Sequence, residues 1–190
     1  MIRLAPSDTL PELGTERLTM RPFKLADAAE VQRLAGDRKV ADTTLRVPHP
    51  YLDGMAEEWI STHAPAFAES TGLTLALTDR KSGALVGAIG LDIRRGHDSA
   101  ELGYWVGTEF WNRGYCTEAA MALLDHGFER LQLNRIHAAH LKRNPASGRV
   151  LLKVGMQREG ELRQHVKKWE RYEDLILYGV LREDWARRSA

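Results

Sequence analysis

The stretch Gly107–Thr117, read GTEFWNRGYCT, is where chemistry is most legible in this 190-residue chain. Before it, Glu101–Val106 is rich in aromatic and β-branched residues and predicts a strand. After it, from about Tyr115, the apolar residues Ala120, Leu123, Leu124, Gly127, Phe128 and Leu131 recur on one face at helical spacing. A glycine-bearing loop therefore opens directly into a helix start. The first amides of a helix have no partner within it, and the helix dipole adds partial positive charge there. Such a site suits an anion, most often a phosphate. Gly114 has no Cβ to keep a phosphate from the loop backbone, so the amides of Arg113, Tyr115, Cys116 and Thr117 are the expected donors. The Arg113 side chain either adds charge there or is simply solvated. No G-x-x-x-x-G-K-[ST] run occurs, which excludes a P-loop, and Gly103, Gly107 and Gly114 are spaced wrongly for G-x-G-x-x-G. An ordinary strand–loop–helix connection with no ligand remains open on the loop alone.

Four segments taken in order resemble the GNAT superfamily of acetyl-CoA-dependent N-acetyltransferases, and more closely its RimJ/RimL-type branch. They are Glu101-Leu102-Gly103-Tyr104-Trp105-Val106, Trp111-Asn112-Arg113-Gly114-Tyr115-Cys116-Thr117-Glu118-Ala119, Asn144-Pro145-Ala146-Ser147 and Leu152-Lys153-Val154-Gly155-Met156. The superfamily loop pattern is [QR]-x-x-G-x-[GA]. Trp111 stands at its first position, as is common in this branch, and Cys116 at its last. The resemblance runs from Leu18 to Trp185.

The resemblance implies a pyrophosphate cradled by Trp111, Asn112, Arg113, Gly114, Tyr115, Cys116 and Thr117. It also implies a pantetheine arm held by backbone groups of Trp105 and Val106 and by Asn144. Asn144 equally suits a helix cap. Ser147 is placed to hydrogen-bond the departing thiolate, or to serve as an extra cap. Many superfamily members carry a tyrosine general acid eight residues after the asparagine; here that position is Leu152, so Ser147 or water must serve. Glu101, starting the strand before the loop, is the candidate base. An alkyl amine is mostly protonated at neutral pH and must lose a proton before it attacks, and a carboxylate acting through water accepts it. A structural ion pair is the competing role for Glu101. Cys116 has no nearby histidine in sequence, and its small size explains its place, so an acetyl-enzyme is not expected. Asp42, Asp53, Glu57 and Glu58 either attract a cationic amine or form a solvated face. His137 and His140 fall on a strand expected to be buried.

These residues need elements to carry them. Thr15–Pro22 predicts a first strand, Leu25–Leu34 a helix ended by Gly36, and Asp37–Pro50 an irregular stretch broken by Pro48 and Pro50. A second helix spans Leu52–Phe67, with Met55, Ala56, Trp59, Ile60 and His63 on one face and Pro65 cutting its last turn. Strands follow at Leu73–Thr78, Leu85–Ile93 and Ala100–Val106, then the helix to Leu131 and a strand at Arg135–Leu141. A short helix Ala146–Val154, strands Met156–Arg163 and Tyr172–Leu181, and a helical tail Leu181–Arg188 complete the chain. The order β-α-α-β-β-β-α-β-α-β-β-α predicts one α+β domain with a mixed sheet and helices on its faces. The resemblance adds that this sheet is twisted, has about seven strands, and splays between Val106 and Arg135–Leu141 to admit the pantetheine arm.

Composition narrows the partners. The chain is long enough for one core and short for two domains. No apolar stretch reaches membrane-spanning length, and residues 1–10 show no secretory signal, so no membrane partner is expected. One cysteine fits a reducing, cytoplasmic setting, and no Cys/His cluster has zinc spacing, so no metal is expected. Residues 1–129 hold 13 Lys/Arg against 19 Asp/Glu, and residues 130–190 hold 14 against 7. That asymmetry suits an anionic ligand on one side and a cationic one on the other, or is plain solvated surface. No dense basic run interleaved with aromatics argues for nucleic acid. The expectation is an acetyl-CoA-dependent transferase acting on a primary amine by direct attack through a tetrahedral intermediate, with a protein or peptide N-terminus as acceptor. A small-molecule amine (polyamine, aminoglycoside or amino acid derivative) and a CoA-binding sensor without turnover remain alternatives, and a homodimer is left open.

Overall fold

A computed structural model describes residues 9–188. Eight strands form one mixed sheet in the order β1-β2-β3-β4-β5-β6-β8-β7. The strands are β1 Leu13–Gly14, β2 Leu18–Arg21, β3 Gly72–Asp79, β4 Leu85–Arg94, β5 Ser99–Val106, β6 Arg135–Leu141, β7 Gln157–Lys168 and β8 Arg171–Leu181. The helices are α1 Ala28–Ala35, α2 Arg38–Thr43, α3 Met55–Ser61, α4 His63–Ala68, α5 Tyr115–Glu129, α6 Pro145–Lys153 and α7 Arg182–Arg187. The eighth strand is the two-residue β1, too short to carry a period-2 pattern.

Alternation along the strands sorts the core onto two faces. In β3, Leu73, Leu75 and Leu77 join the larger cluster with Leu123, Leu124 and Phe128 of α5, while Ala76 joins Val31 and Leu34 of α1 and Ile60 of α3. The sheet thus lies between α1 and α3 on one side and α5, α6 and α7 on the other. Gly87 in β4 lets that strand close on β5: a Cβ there would stand 2.1 Å from the Trp105 carbonyl oxygen.

Among the described residues, all strand pairings are antiparallel except one. β5 and β6 run parallel and meet at Ser99/Arg135, Ala100/Ile136 and Glu101/His137 only. Beyond Glu101 the two strands part. The splay that the resemblance implies is present, between the strands it named.

Three departures from expectation change the element order or run several residues past an expected end. The stretch Asp37–Pro50 contains α2, because Asp37 accepts from Lys39 N at 2.8 Å and starts a helical turn before the prolines intervene. The predicted helix Leu52–Phe67 is two, α3 and α4. Pro65 has no N–H to bond the Ser61 carbonyl four residues back, and its ring crowds that carbonyl, so the axis breaks at Thr62. β7 runs to Lys168, five residues past the expected end. Register shifts at Arg158/Gly160 and Leu162/Val166 disrupt the alternation that would have announced it.

Candidate active site

The gap between β5 and β6 opens into a cleft of about 960 Å³. Of the site residues expected from sequence, Glu101, Trp105, Val106, Trp111, Asn112, Gly114, Tyr115, Cys116, Thr117, Asn144 and Ser147 line it, and Arg113 does not. The Arg113 guanidinium lies 5.7 Å from the centre of the Phe110 ring instead.

Gly114 is the N-cap of α5, with φ +82° in the left-handed region that glycine adopts at little cost. The first α5 bond of this cap is Glu118 N to Gly114 O, 3.1 Å, which leaves the amides of Tyr115, Cys116 and Thr117 without helical acceptors at the cleft. Sequence reasoning missed what holds this loop, which is Arg17. Its Nη1 donates to the Arg113 carbonyl at 2.8 Å, its Nη2 pairs with Glu118 at 2.6 Å, and its guanidinium sits 5.0 Å over the Tyr115 ring. Burial opposes ionisation of Glu118, yet Thr15, the Arg17 amide and the Arg17 side chain together hold its pKa below the ordinary value. With Arg17 and Arg113 96 positions apart in sequence, no local signal could have found this staple.

One expectation is corrected. Gly107 N donates to Val86 O at 3.0 Å, and β4 and β5 keep one register throughout. In that ladder Trp105 turns its N–H and C=O to Ala88, away from the gap. Tyr104 and Val106 turn theirs into the gap, and the Val106 carbonyl accepts from Trp111 Nε1 at 2.9 Å. Trp105 therefore has no free backbone pair for an extended ligand. It reaches the cleft from the α1/α3 face, beside Trp59.

Asn144 caps α6: its Oδ1 accepts from Ser147 N at 3.3 Å, and its Nδ2 donates to Thr43 O at 3.1 Å, tying α6 to α2. Ser147 Oγ lies 2.8 Å from the Tyr104 phenol. Leu152 is 55% exposed and outside the cleft lining, so no polar group comes from that position. Burial pushes the Cys116 thiol up to about 12, which leaves it a neutral, weak nucleophile at pH 7.

Glu101 is half exposed at the other end of the gap, with Arg46 Nη2 at 3.3 Å. The same guanidinium also pairs with Asp92, which holds its pKa above the ordinary value. The ion-pair role is therefore real in this conformation. Across the parallel rung stands His137, whose pKa is lowered by burial, with Glu101 acting to raise it. Of the flanking acids, Glu58 lines the cleft, whereas Asp42 pairs with Arg143 and Asp53 accepts from Gln32. His140 is buried at the cleft wall, its Nδ1 bonded to Leu141 O at 2.8 Å. Among the described residues no cluster of metal-ligating side chains occurs, and no helix is long and apolar enough to cross a membrane.

The model of the acetyltransferase (GNAT) domain matches residues 17–157. The chain belongs to the GNAT acetyltransferase family. This GNAT chain is 30% identical over 176 residues to the N-acetyltransferase p20 of Bacillus licheniformis, covering 92% of itself and 98% of that protein. It is 31% identical over 99 residues to the ribosomal-protein-serine acetyltransferase of Escherichia coli, covering 52% of itself and 55% of that protein. A solved GNAT acetyltransferase from Bacillus anthracis superposes with a TM-score of 0.82 at 26% identity, covering 91% of this chain and 99% of that one. The chain is thus an acetyl-CoA-dependent N-acetyltransferase, which transfers acetyl groups to amines.

Proposed function

We propose that the acceptor is the N-terminal α-amine of a protein or peptide and that it attacks the thioester directly. The observation that carries direct attack is the gap between β5 and β6. Glu101 and Tyr104 are three residues apart on β5, so their side chains leave opposite faces of the sheet. A thioester in the gap has a carboxylate on one side and the Tyr104–Ser147 hydroxyls on the other. An amine arriving on the Glu101 side adds to the thioester carbonyl carbon, and the sulfur departs toward the hydroxyls.

The amides at the start of α5 suit a pyrophosphate, and the Tyr104 and Val106 N–H groups suit the amide carbonyls of pantetheine. The amine nitrogen adds to the thioester carbonyl carbon and the π electron pair moves onto oxygen; collapse of this tetrahedral intermediate restores the carbonyl, breaks the carbon–sulfur bond and leaves its electron pair on sulfur. Glu101, acting through water, takes the amine's proton once Arg46 has moved aside. Ser147 hydrogen-bonds the thiolate. The likeness to a ribosomal-protein-serine acetyltransferase supports a protein as acceptor.

A polyamine is the second reading. Glu58, Asp92 and Glu101 line the cleft against Arg46, which pairs with the last two, and this excess of carboxylates favours a multiply charged cation. Incubation with acetyl-CoA and a panel of free N-terminal peptides, spermidine, aminoglycosides and amino acid derivatives, read by mass spectrometry, separates the two. Acetyl addition at peptide α-amines supports the first reading, and addition to polyamine alone removes it. Binding of acetyl-CoA with no product from any amine would point to a sensor.

A further inference from the structure

Tyr104 makes a contact that the steps above leave partly unused. Its phenol oxygen lies 2.8 Å from Ser147 Oγ and 3.2 Å from the Ser147 carbonyl oxygen. The contact spans the gap, because Tyr104 is on β5 and Ser147 is on α6, the helix that follows β6. Cys116 of α5 and Tyr178 of β8 act on the phenol electrostatically, and His140 of β6 and the Tyr178 phenol lie against Gly148, the neighbour of Ser147.

A phenol has one hydrogen to give. While it goes to the Ser147 carbonyl, the Ser147 hydroxyl hydrogen is donated back to the phenol oxygen and can serve nothing else. Turned to Oγ, the phenol hydrogen releases the hydroxyl hydrogen of Ser147 toward the cleft. The two arrangements differ only by rotations about the Tyr104 carbon–oxygen bond and the Ser147 Cβ–Oγ bond.

We propose that Tyr104 is a positioning residue that turns the Ser147 hydroxyl hydrogen toward the thioester sulfur as negative charge develops there. This rests on the acetyl-transfer reading of the cleft. Burial raises the phenol's pKa well above its ordinary value, so Tyr104 keeps its proton and contributes a hydrogen bond alone. The sulfur leaves as a thiolate accepting from Ser147, and no proton passes out of Tyr104. With Leu152 outside the cleft, the phenol of Tyr104 on β5, acting through Ser147 of α6, contributes a hydrogen bond where the resemblance implies a tyrosine on α6.

The test uses CoA, whose free thiol is the probe, and desulfo-CoA as control. Thiolate absorbance of the protein–CoA complex, with the desulfo-CoA complex subtracted, is followed against pH. Wild type, Tyr104→Phe, Ser147→Ala and the double variant are compared. A hydrogen bond to a charged acceptor shifts a thiol by on the order of one pH unit, a tenfold change in thiolate fraction. The bound thiol is expected to titrate about one unit higher in Tyr104→Phe than in wild type. It should lie at least as high in Ser147→Ala, and no higher in the double variant, because Tyr104 acts only through Ser147. Affinity for desulfo-CoA should be equal in all four. Equal thiol titration in wild type and Tyr104→Phe, or shifts that add in the double variant, overturns the relay. Loss of desulfo-CoA affinity in Tyr104→Phe also overturns it, by assigning the phenol a structural role. A wild-type protein that binds neither compound removes the acetyl-transfer reading itself, and the relay with it.

Discussion

Replacing Glu101 by glutamine keeps the shape of the side chain and removes its basic site. Two effects are then expected, and the structure separates them by size. The Arg46–Glu101 pair is open to water, with side chains 70% and 36% exposed, and Arg46 keeps Asp92 as a partner. An exposed pair of this kind contributes about 0–1 kcal/mol, so the melting temperature should move by only a few degrees. A positioned general base contributes about 10²–10⁴ in rate, roughly 3–5 kcal/mol of barrier. The assay is steady-state turnover from pH 6.5 to 9, with the acceptor that the mass-spectrometric panel identifies and saturating acetyl-CoA. Turnover of Glu101→Gln near pH 7 should fall at least about a hundredfold. Affinity for acetyl-CoA should hardly change. The deficit should narrow as pH rises, since more of the amine then arrives neutral. A folded variant with near-normal turnover at pH 7 would refute the base assignment. Deprotonation would then belong to another group or to bulk water, and Glu101 would be left with its ion pair.

Gly114→Val places a branched residue at φ +82° in the loop, with the Cβ 3.3 Å from the Arg17 guanidinium. CoA affinity measured by calorimetry should fall strongly in protein that still folds, and equal affinities would remove the loop from the site. Cys116→Ala should remain active, and intact mass after incubation with acetyl-CoA alone should show no stoichiometric adduct; a transferable acetyl group on Cys116 would overturn direct attack. His63 is buried with both ring nitrogens unpartnered, and burial lowers its pKa from 6.5 to about 4. The unfolded chain therefore binds the extra proton between those values, so stability is full above about pH 6.5 and falls as pH drops toward 4. His63→Leu should flatten that limb by about 1–2 kcal/mol at pH 5 in urea unfolding, and an unchanged slope would contradict the assignment.

The residues that share a short span of chain were legible before the structure was known. Gly114, its loop and the helix after it announce themselves through local spacing, as do the alternating strands β3, β4 and β8. The family resemblance added the order of the later segments and the splay. The hidden features depend on residues far apart in sequence or on locally irregular backbone. Arg17 staples a loop 96 residues away, and Tyr104 meets Ser147 across 43. The bulges of β7 break the period that reveals a strand. The direction of the Trp105 backbone groups is not legible in sequence, because which groups face a gap depends on ladder parity, and parity is fixed by one bond, Gly107 N to Val86 O. The short helix α2 was masked by two prolines that follow it without entering it.

The three rungs joining β5 to β6 have a mechanical meaning. They are the hinge between two plates, β1–β5 and β6–β8, and they fix where the wedge between the plates begins. Each strand residue advances about 3.3 Å, so one rung fewer would deepen the wedge by about that distance, and one rung more would move its apex by the same step toward the mouth. A thioester seated against the apex would shift with it, relative to Glu101 and to Ser147 alike. Ser99, Ala100, Arg135 and Ile136 sit below the wedge and touch nothing in it, yet the count of their pairings sets the depth to which an acyl group can be carried.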